Sequence, residues 1–401
     1  MSHIIFHIDV NSAYLSWTAV EQLKNGAEVD IRTIPAIIGG DKESRHGIVL
    51  AKSTSAKQFD IRTGEPVVNA FRKCPNLHMD PPNHKMYREY SRRLMNFLKT
   101  YTPVIEQVSV DECYMDFTGI AQQFASPVEA AYEIKDQVYE KFGFTVNVGI
   151  STNKLLAKMA SDFEKPNRVH TLFPEEIREK MWPLPVSELF MAGRSSVAIL
   201  EKLEIRTIGE LAQTDPKLLE FHLKSHGRTL WEFANGIGDA KVQSAETVAK
   251  GVGNSTTLPK DVEKAEDAKK ILFSLAKSVG RRLRKAGQKA KMVSVEIRYS
   301  DFQNVSHQKQ LGKASSADQI IYEAACRLFD ELWNGEPIRL LGVRTAKLVD
   351  EDEPEQLSLF DLQFEVKQEK PKKSMEKLKK LSAAMGEIRG RYGADAVIRG
   401  S

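Results

Sequence analysis

The sequence predicts an α+β fold divided among several domains. Its 401 residues allow about two to four domains, and 41% hydrophobic with 28% charged residues is typical of globular chains. Over the first 166 residues, short apolar runs alternate with amphipathic helical segments in a βαββαβ-like order. This order favours an antiparallel sheet with helices on one face.

The first elements can be assigned from their spacing. IIFHI at 4–8 predicts a short buried strand, and the NSAYLSWTAVEQL stretch after it has helical spacing, with Ser12 as a candidate N-cap. GIVLAKSTSAKQF at 47–59 predicts a strand that runs into a helix. Residues 84–101 predict an amphipathic helix that stops before Pro103.

The next elements place an acidic pair in an apolar setting. VIEQVSV and CYMDF predict a β-hairpin with Asp111 and Glu112 at or next to its tip. EAAYEIKDQVYEKFG has helical spacing, and TVNVGIS predicts another strand. Carboxylates so close to apolar strands usually have a partner, so this pair is a candidate functional site.

After residue 166 the sequence pattern changes to short helical segments with small connectors. LEKLEIRTIGELAQ and LKSHGRTLWEFANGIG predict compact helix–turn–helix pieces, and the polar residues 237–257 predict a linker. Residues 262–348 predict a basic helix, the strand MVSVEIRYS, the helix ADQIIYEAACRLFDELW and the strand IRLLGVRTAKLV. An acidic, proline-containing tail follows from residue 350.

Composition excludes some classes of protein. No run of about 18 apolar residues exists, so we expect no membrane span. The cysteines Cys74, Cys113 and Cys326 are far apart and lack CxxC spacing, which argues against a disulfide framework or a zinc site and fits a reducing cytoplasm.

Charge is informative in its distribution rather than in its sum. The formal net charge is +4 and the pI is near 8.7, which by itself indicates nucleic acid only weakly. Residues 269–291, however, hold nine basic residues and no acid. A basic helix of this kind is either a solvated face or a surface for phosphates.

Three carboxylates stand at strand ends or turns of the first domain: Asp9, Asp111 and Glu112. Neighbouring strands could bring them together, and clustered carboxylates need a cation. Oxygen ligands without His or Cys suit Mg²⁺. Acids at a hairpin turn in solvent are the alternative, and spacing alone does not separate the two.

Five motifs, in this order, resemble those of the Y-family translesion DNA polymerases. They are HIDVNSAY, SVDECYMDFTG, VGISTNKLLAKMASDFEKPN, RYSDFQ and QLSLF. The chain is similar over nearly its whole length to the bacterial polymerase IV and polymerase V branch. The resemblance implies a right-hand architecture with these parts: palm 1–10 and 80–166, fingers 11–79, thumb 167–236, linker 237–257, little finger 258–349 and tail 350–401.

The resemblance also implies roles for the acids. Asp9 and Asp111 match the aspartates that bridge two Mg²⁺ ions, and Glu112 matches the ligand of the ion at the primer 3′-hydroxyl. The carbonyl of Val10 matches the ligand of the ion that travels with the dNTP. The resemblance thus implies that the turn exposes Asp111 and Glu112 so that Mg²⁺, not a protein cation, neutralises them. The reaction would be an in-line attack on the α-phosphate, with primer–template DNA and dNTPs as substrates.

Nucleotide contacts follow from the same resemblance. Tyr14 matches the steric gate that excludes a 2′-hydroxyl, although by itself it would be taken as a core aromatic residue. Lys165 matches a lysine that reaches the triphosphate. Thr54 and Lys57 stand where many relatives have a tyrosine and an arginine, so the bidentate fork is lost and weak dNTP binding is expected.

DNA and clamp contacts are implied further along the chain. Gly193 opens a stretch similar to a helix-hairpin-helix, whose helix N-terminus would bind a DNA phosphate, and Arg298 lies in a strand expected along the duplex. The tail motif resembles a sliding-clamp peptide, whose docking residues would be Gln356, Leu357, Leu359 and Phe360. We expect a cytoplasmic monomer.

Two other functions remain as alternatives. GGDKE at 39–43 mimics part of a nucleotide cyclase signature, although it lies in the predicted fingers rather than beside the acids. The second alternative is a catalytically weak DNA-binding protein tethered to the clamp. It stays open because Thr54 and Lys57 replace the residues that many relatives have in the fingers.

Overall fold

The chain divides into two compact units, Met1–Glu246 and Thr247–Ser401. The boundary between them falls inside the predicted linker. The structure, a computed structural model, describes three stretches and one isolated residue: 3–41, 47–244, 249–353 and Ala384. Within these stretches, no helix has the length and apolar character needed to cross a membrane.

The first unit contains two sheets and a helical region. Its strands and α-helices in chain order are β1 (Ile5–Val10), α1 (Ala13–Lys24), β2 (Ala36–Gly39), β3 (Val49–Lys52), α2 (Thr54–Lys57), α3 (Val67–Lys73), β4 (His78–Asp80), α4 (His84–Leu98), β5 (Ile105–Gln107), β6 (Glu112–Asp116), α5 (Pro127–Phe142), β7 (Val146–Ser151), α6 (Lys154–Asp162), β8 (Val169–Thr171), α7 (Arg194–Lys202), α8 (Ile208–Gln213), α9 (Pro216–Leu223) and α10 (Ser225–Ala234).

The larger sheet has the strand order β5-β6-β1-β7-β8. All its pairings are antiparallel except that of β7 with β8. The predicted hairpin is therefore confirmed as β5 and β6, and β1 is the buried central strand.

Helices cover both faces of this sheet, so the prediction of helices on one face is wrong. Phe6 and Ile8 of β1 belong to the core that α1, α4 and α5 fill. Helix α6 covers the opposite face, where a Cβ added to Gly149 would lie 2.0 Å from the carbonyl oxygen of Ala157. The absence of a side chain at Gly149 lets the α6 backbone lie directly on the strands.

The smaller sheet has the order β3-β2-β4 and a small core of its own with α2 and α3. The strand-to-helix stretch predicted at 47–59 is confirmed as β3 and α2. Ser53 caps α2 by accepting a hydrogen bond from the backbone N–H of Ala56. Ser12 does not cap α1: its φ is +48° and its side chain makes no cap hydrogen bond, because capping needs extended backbone.

The helical region from α7 to α10 packs around one apolar cluster that also includes residues of α6. The first predicted helix–turn–helix piece is present as the end of α7 followed by α8, whereas the second, at 223–238, contains one helix, α10, after the last residue of α9. Thr207 and Glu210 form a reciprocal capping box that fixes the start of α8.

The second unit is a four-stranded antiparallel sheet with two helices. Its elements are β9 (Gly251–Val262), α11 (Ala265–Lys285), β10 (Gln288–Tyr299), β11 (Asn304–Ser315), α12 (Asp318–Leu332) and β12 (Ile338–Asp350). The strand order is β11-β10-β12-β9. The apolar faces of α11 and α12 pack on this sheet.

Both edge strands differ from the sequence-based expectation. Residues 251–257, predicted as linker, begin β9, and β11 was not predicted at all. Both strands are mostly polar and expose many side chains, so they lack the apolar alternation that marks a half-buried strand. The clamp motif residues Gln356, Leu357, Leu359 and Phe360 lie outside the described residues.

Candidate active site

Three carboxylates meet where β1 ends beside the β5–β6 turn. Asp9 of β1 stands opposite Glu112 of β6, and directly opposed residues project from the same face of a sheet. Asp111 comes one residue earlier, and its carbonyl accepts a hydrogen bond of 3.0 Å from the N–H of Val10. The sheet register thus brings Asp9, Val10, Asp111 and Glu112 together.

The Ser109 hydroxyl organises the turn. It donates to Asp111 Oδ1 over 2.5 Å and accepts from the backbone N–H groups of Asp111 and Glu112 at 3.2 and 3.1 Å. Burial, and then repulsion from Asp9 and Glu112, raise the pKa of Asp111 despite the serine contact. Within the described ranges Asp111 has no lysine or arginine partner, so its charge is the least compensated of the three.

Two lysines neutralise the other acids, so the prediction that no protein cation neutralises the turn acids is wrong for Glu112. Lys165 contacts Asp9 and lies 2.8 Å from Asp162. Lys158 lies 3.1 Å from Glu112 and 3.4 Å from Asp162. Burial alone would lower the pKa of both lysines, but the neighbouring carboxylates raise it, so both carry a positive charge.

His7 contacts Glu112 from the buried side of the site. The imidazole is fully buried, with Nδ1 2.8 Å from the hydroxyl of Ser161 and Nε2 3.2 Å from Glu112 Oε2. Contact with His7, and next with Lys158, lowers the pKa of Glu112 to about 2. Burial lowers the pKa of His7 itself. Glu112 is thus ionised and held in place.

Sequence reasoning missed Lys158 and His7. Lys158 lies on α6, four residues before Asp162, and this spacing puts the two side chains on one face of the helix. His7 shares a face of β1 with Asp9 because the two residues are separated by one. Both periodicities are visible in the sequence, but the packing of α6 over β1 is not.

The donor set fits a hard divalent cation. It consists of three carboxylates without His or Cys, and oxygen atoms are the ligands that Mg²⁺ prefers. Burial, and after it repulsion from Asp9 and Glu112, raise the pKa of Asp111, and a bound cation would favour its ionised form. In the described ranges, no group of three His, Cys, Asp or Glu side chains has the arrangement of a metal site, because two of the three acids contact lysines instead.

Tyr14 lies at the margin of this site. Its ring stacks on that of Tyr87 with centroids 4.3 Å apart and planes 8° apart, and the edge of His84 faces it at 5.9 Å. Burial and then the charge of Asp111 raise the pKa of Tyr14. The ring is partly exposed, so it is both supported by the core and available to a ligand near Asp111.

The remaining predicted residues lie on other elements. Thr54 and Lys57 are exposed at the two ends of the single-turn helix α2, which belongs to the smaller sheet rather than to the sheet of the acids. Gly193 is the exposed N-cap of α7. Arg298 lies on β10 of the second unit and donates to Asn304 Oδ1 over 2.7 Å.

The cyclase-like GGDKE sequence is also apart from the acids. Gly39 ends β2 in the smaller sheet. The last two residues of the GGDKE segment, 42 and 43, lie outside the described residues. The resemblance to a cyclase signature therefore does not coincide with the carboxylate cluster.

Comparisons with known proteins agree with this architecture. Residues 8–162 match the model of the impB/mucB/samB family, and residues 249–359 match that of its C-terminal domain. DNA polymerase IV of Clostridium acetobutylicum is 48% identical over 399 residues, covering 100% of this chain and 98% of the relative. DNA polymerase IV 1 of Bacillus subtilis is 37% identical over 381 residues, covering 94% and 90%.

A solved structure shares the fold. A Y-family polymerase chimera, Dbh-Dpo4(243-245)-Dbh, aligns with a TM-score of 0.74 at 22% identity, covering 86% of this chain and 99% of the chimera. Full-length similarity to curated polymerases and the shared fold lead to one assignment. The chain belongs to the Y-family of translesion DNA polymerases, together with the bacterial DNA polymerases IV.

Proposed function

We propose that this chain extends a primer along a template, across damaged bases, by transferring nucleotides from dNTPs to the primer 3′-hydroxyl with release of pyrophosphate. Its family membership makes it a DNA-directed DNA polymerase that acts on primer–template DNA and dNTPs and depends on a divalent metal. The observation that carries the proposal is the register of Asp9 with Glu112, beside Asp111. The cyclase and the inactive DNA-binding protein are not favoured by these comparisons.

Two Mg²⁺ ions are proposed at the acids. Asp9 and Asp111 would bind both ions. Glu112 would bind the ion at the primer terminus, and the carbonyl of Val10 would bind the ion that accompanies the nucleotide. When bound, the ions would activate the 3′-hydroxyl and neutralise charge that develops on the phosphates. His7 and Lys158 hold Glu112 ionised for this task.

The incoming nucleotide is proposed to bind between Tyr14 and Lys165. The Tyr14 ring would lie under the deoxyribose, where its support by Tyr87 leaves it little freedom to move away from a 2′-hydroxyl. Lys165 would exchange Asp9 for a phosphate oxygen. Thr54 and Lys57 are proposed as weaker phosphate contacts, since a threonine is short and a lysine lacks the guanidinium fork.

DNA binding is proposed for the thumb and the little finger. The boundaries proposed for these parts and for the palm, fingers and tail are those given in the sequence analysis. Gly193 at the start of α7 and Arg298 on β10 are the proposed phosphate contacts. Within α11, Lys269 and Arg284 pair with Asp330 and Asp318, so only part of the basic helix is available for DNA.

The tail is proposed to bind a sliding clamp through Gln356, Leu357, Leu359 and Phe360. Three apolar side chains within five residues suit a short docking peptide. We further propose a monomer that acts in the cytoplasm, where free cysteines such as the buried Cys74 and Cys113 persist.

A primer-extension assay tests the reaction. Purified protein is incubated with Mg²⁺, four dNTPs and either an undamaged template or one with a single abasic site. We expect template-dependent extension on both. A cyclase would instead convert a nucleoside triphosphate without DNA, and an inactive binder would shift the DNA without lengthening it.

A further inference from the structure

Two buried asparagine side chains form a pair under the segment that carries Lys165. Asn147, with no exposed surface, lies on β7 opposite Asp9, and Asn11, 8% exposed, follows the end of β1. Asn11 Nδ2 donates to Asn147 Oδ1 over 3.0 Å. Because a buried amide must satisfy its donors and acceptors, the other contacts of the pair are informative.

The pair binds four backbone groups of residues 161–168, on both sides of Lys165. Asn147 Nδ2 donates to the carbonyls of Ser161 and Glu164 at 3.0 and 2.7 Å. The backbone N–H groups of Asn167 and Arg168 donate to Asn11 Oδ1 and Asn147 Oδ1 at 2.9 and 3.2 Å.

Every hydrogen-bonding position of the Asn147 amide is therefore used. A flipped amide would turn its oxygen toward the two carbonyls of the segment, so only one orientation satisfies the site. The segment is held at defined points rather than by general packing.

The consequence concerns Lys165. Its ammonium contacts Asp9, which lies two residues before Asn11, and Asp162, which lies within the bound segment. A lysine side chain has many rotamers, so its location beside the acids depends on where its backbone is fixed.

We infer that Asn147, assisted by Asn11, is a positioning residue for nucleotide binding: it fixes the 161–168 backbone so that Lys165 reaches the triphosphate. This inference rests on the proposed role of Lys165. The Asn147 amide binds the backbone of this segment and the side chain of Asn11, and it acts on the nucleotide through the lysine.

The test is a double-mutant cycle on single-nucleotide insertion. Asn147→Ala should raise the apparent dNTP KM about tenfold and change kcat by less than about threefold. The reason is that a Lys165 ammonium displaced by a fraction of an ångström would bind the triphosphate less tightly. In a Lys165→Ala background, Asn147→Ala should raise KM no further, since the group it positions is gone.

Two further variants separate positioning from folding. Ser151→Ala removes a buried hydroxyl of the same strand, which donates to the carbonyl of Leu172; it should lower the melting temperature and leave KM unchanged. Asn11→Ala keeps the Asn147 contacts to Ser161 and Glu164, so it should fold even if Asn147→Ala does not and should raise KM by a smaller factor.

The outcomes distinguish the inference from the proposal beneath it. If Lys165→Ala leaves KM unchanged, the proposed role of Lys165 fails. If Lys165→Ala raises KM but neither asparagine variant does, the positioning role is overturned while the role of Lys165 stands. Equal effects of Asn147→Ala with and without Lys165 would also overturn it.

Discussion

Asp111 is the residue whose environment differs most from that of its neighbours. Glu112 has His7 and Lys158, and Asp9 has Lys165, whereas Asp111 has a serine hydroxyl and burial that raises its pKa. An acid with a raised pKa in the folded state makes folding less favourable once it ionises. An acid in such an environment does not stabilise the fold, and groups with shifted pKa values cluster at functional sites.

The sequence allowed the acids to be identified but not their partners. Asp111 and Glu112 interrupt apolar strands, which is a local pattern, and the family motif extends the assignment to Asp9. The contacts of Lys158 and Lys165 depend on α6 crossing β1, which is a tertiary relation without a local signal. The same holds for the stack of Tyr14 on Tyr87.

Tyr14 offers a prediction about sugar selectivity. Tyr14→Ala should raise ribonucleotide insertion by a few hundred-fold relative to dNTP insertion, because a removed clash of about 3–4 kcal/mol corresponds to that factor in rate. Measurement of kcat/KM for a matched dNTP and rNTP checks this.

Tyr14→Phe is the matched control, since it keeps the ring and should keep the selectivity. A tyrosine that served only the core would, on truncation, destabilise the protein by about 3–5 kcal/mol. Insertion of both nucleotides would then fall together, and an unchanged selectivity ratio would end the steric-gate assignment.

Lys57 gives a second prediction at this scale. Lys57→Arg should lower the apparent dNTP KM, because a guanidinium restores two parallel hydrogen bonds to a phosphate. Steady-state insertion on an undamaged template measures this. Lys73→Arg is the control, because Lys73 pairs with Glu65 at 2.7 Å and should leave KM unchanged; a raised KM in Lys57→Arg would mean that the triphosphate is bound by other residues.

Among the strands of the two larger sheets, those with apolar runs were predictable, including the edge strand β5, whereas the mostly polar edge strands β9 and β11 were not. The buried strand β1 and the hairpin of β5 and β6 have apolar runs, because they line a core. The edge strands β9 and β11 expose polar side chains, as edges that avoid aggregation do, and so resemble loops in sequence. The prediction of a linker up to residue 257 failed for this reason.

Helix α6 gives a prediction about stability. Gly149→Ala should destabilise the first unit by about 1–3 kcal/mol or more, since its Cβ would lie 2.0 Å from the carbonyl oxygen of Ala157 and the helix would have to move. A thermal melt should show this, with lower polymerase activity because α6 carries Lys158.

Gly119→Ala is the control. A Cβ at Gly119 meets no atom within 4 Å, so this variant should melt like the wild type. Equal melting temperatures for both variants would mean that α6 is not packed as closely on β7 as described.

The whole molecule combines a catalytic unit with a second unit and a tail. Asp9, Asp111 and Glu112, the proposed metal ligands, belong to the first unit, whereas Arg298 and the basic helix α11 belong to the second, and the proposed clamp motif follows in the sequence. Chemistry and tethering should therefore be separable by mutation.

The tail provides a test of that separation. Replacing Leu359 and Phe360 by Ala should leave synthesis on a short primer unchanged without clamp and reduce clamp-stimulated synthesis, because it removes the apolar anchors. Replacing Leu362 and Phe364 by Ala is the matched control and should have no effect. A 354–363 peptide that shows no binding to purified clamp in a titration would rule out the motif.

The central claim is that Asp9, Asp111 and Glu112 hold the catalytic metal ions, and Asp111→Asn tests it most directly. The variant removes one charge without changing shape, so extension rate and DNA affinity can be compared with the wild type at one salt concentration. We expect extension to be abolished, DNA affinity to be retained and the melting temperature to be equal or higher, because the amide relieves repulsion at a buried carboxylate. Near-normal extension by a well-folded Asp111→Asn protein would contradict the claim.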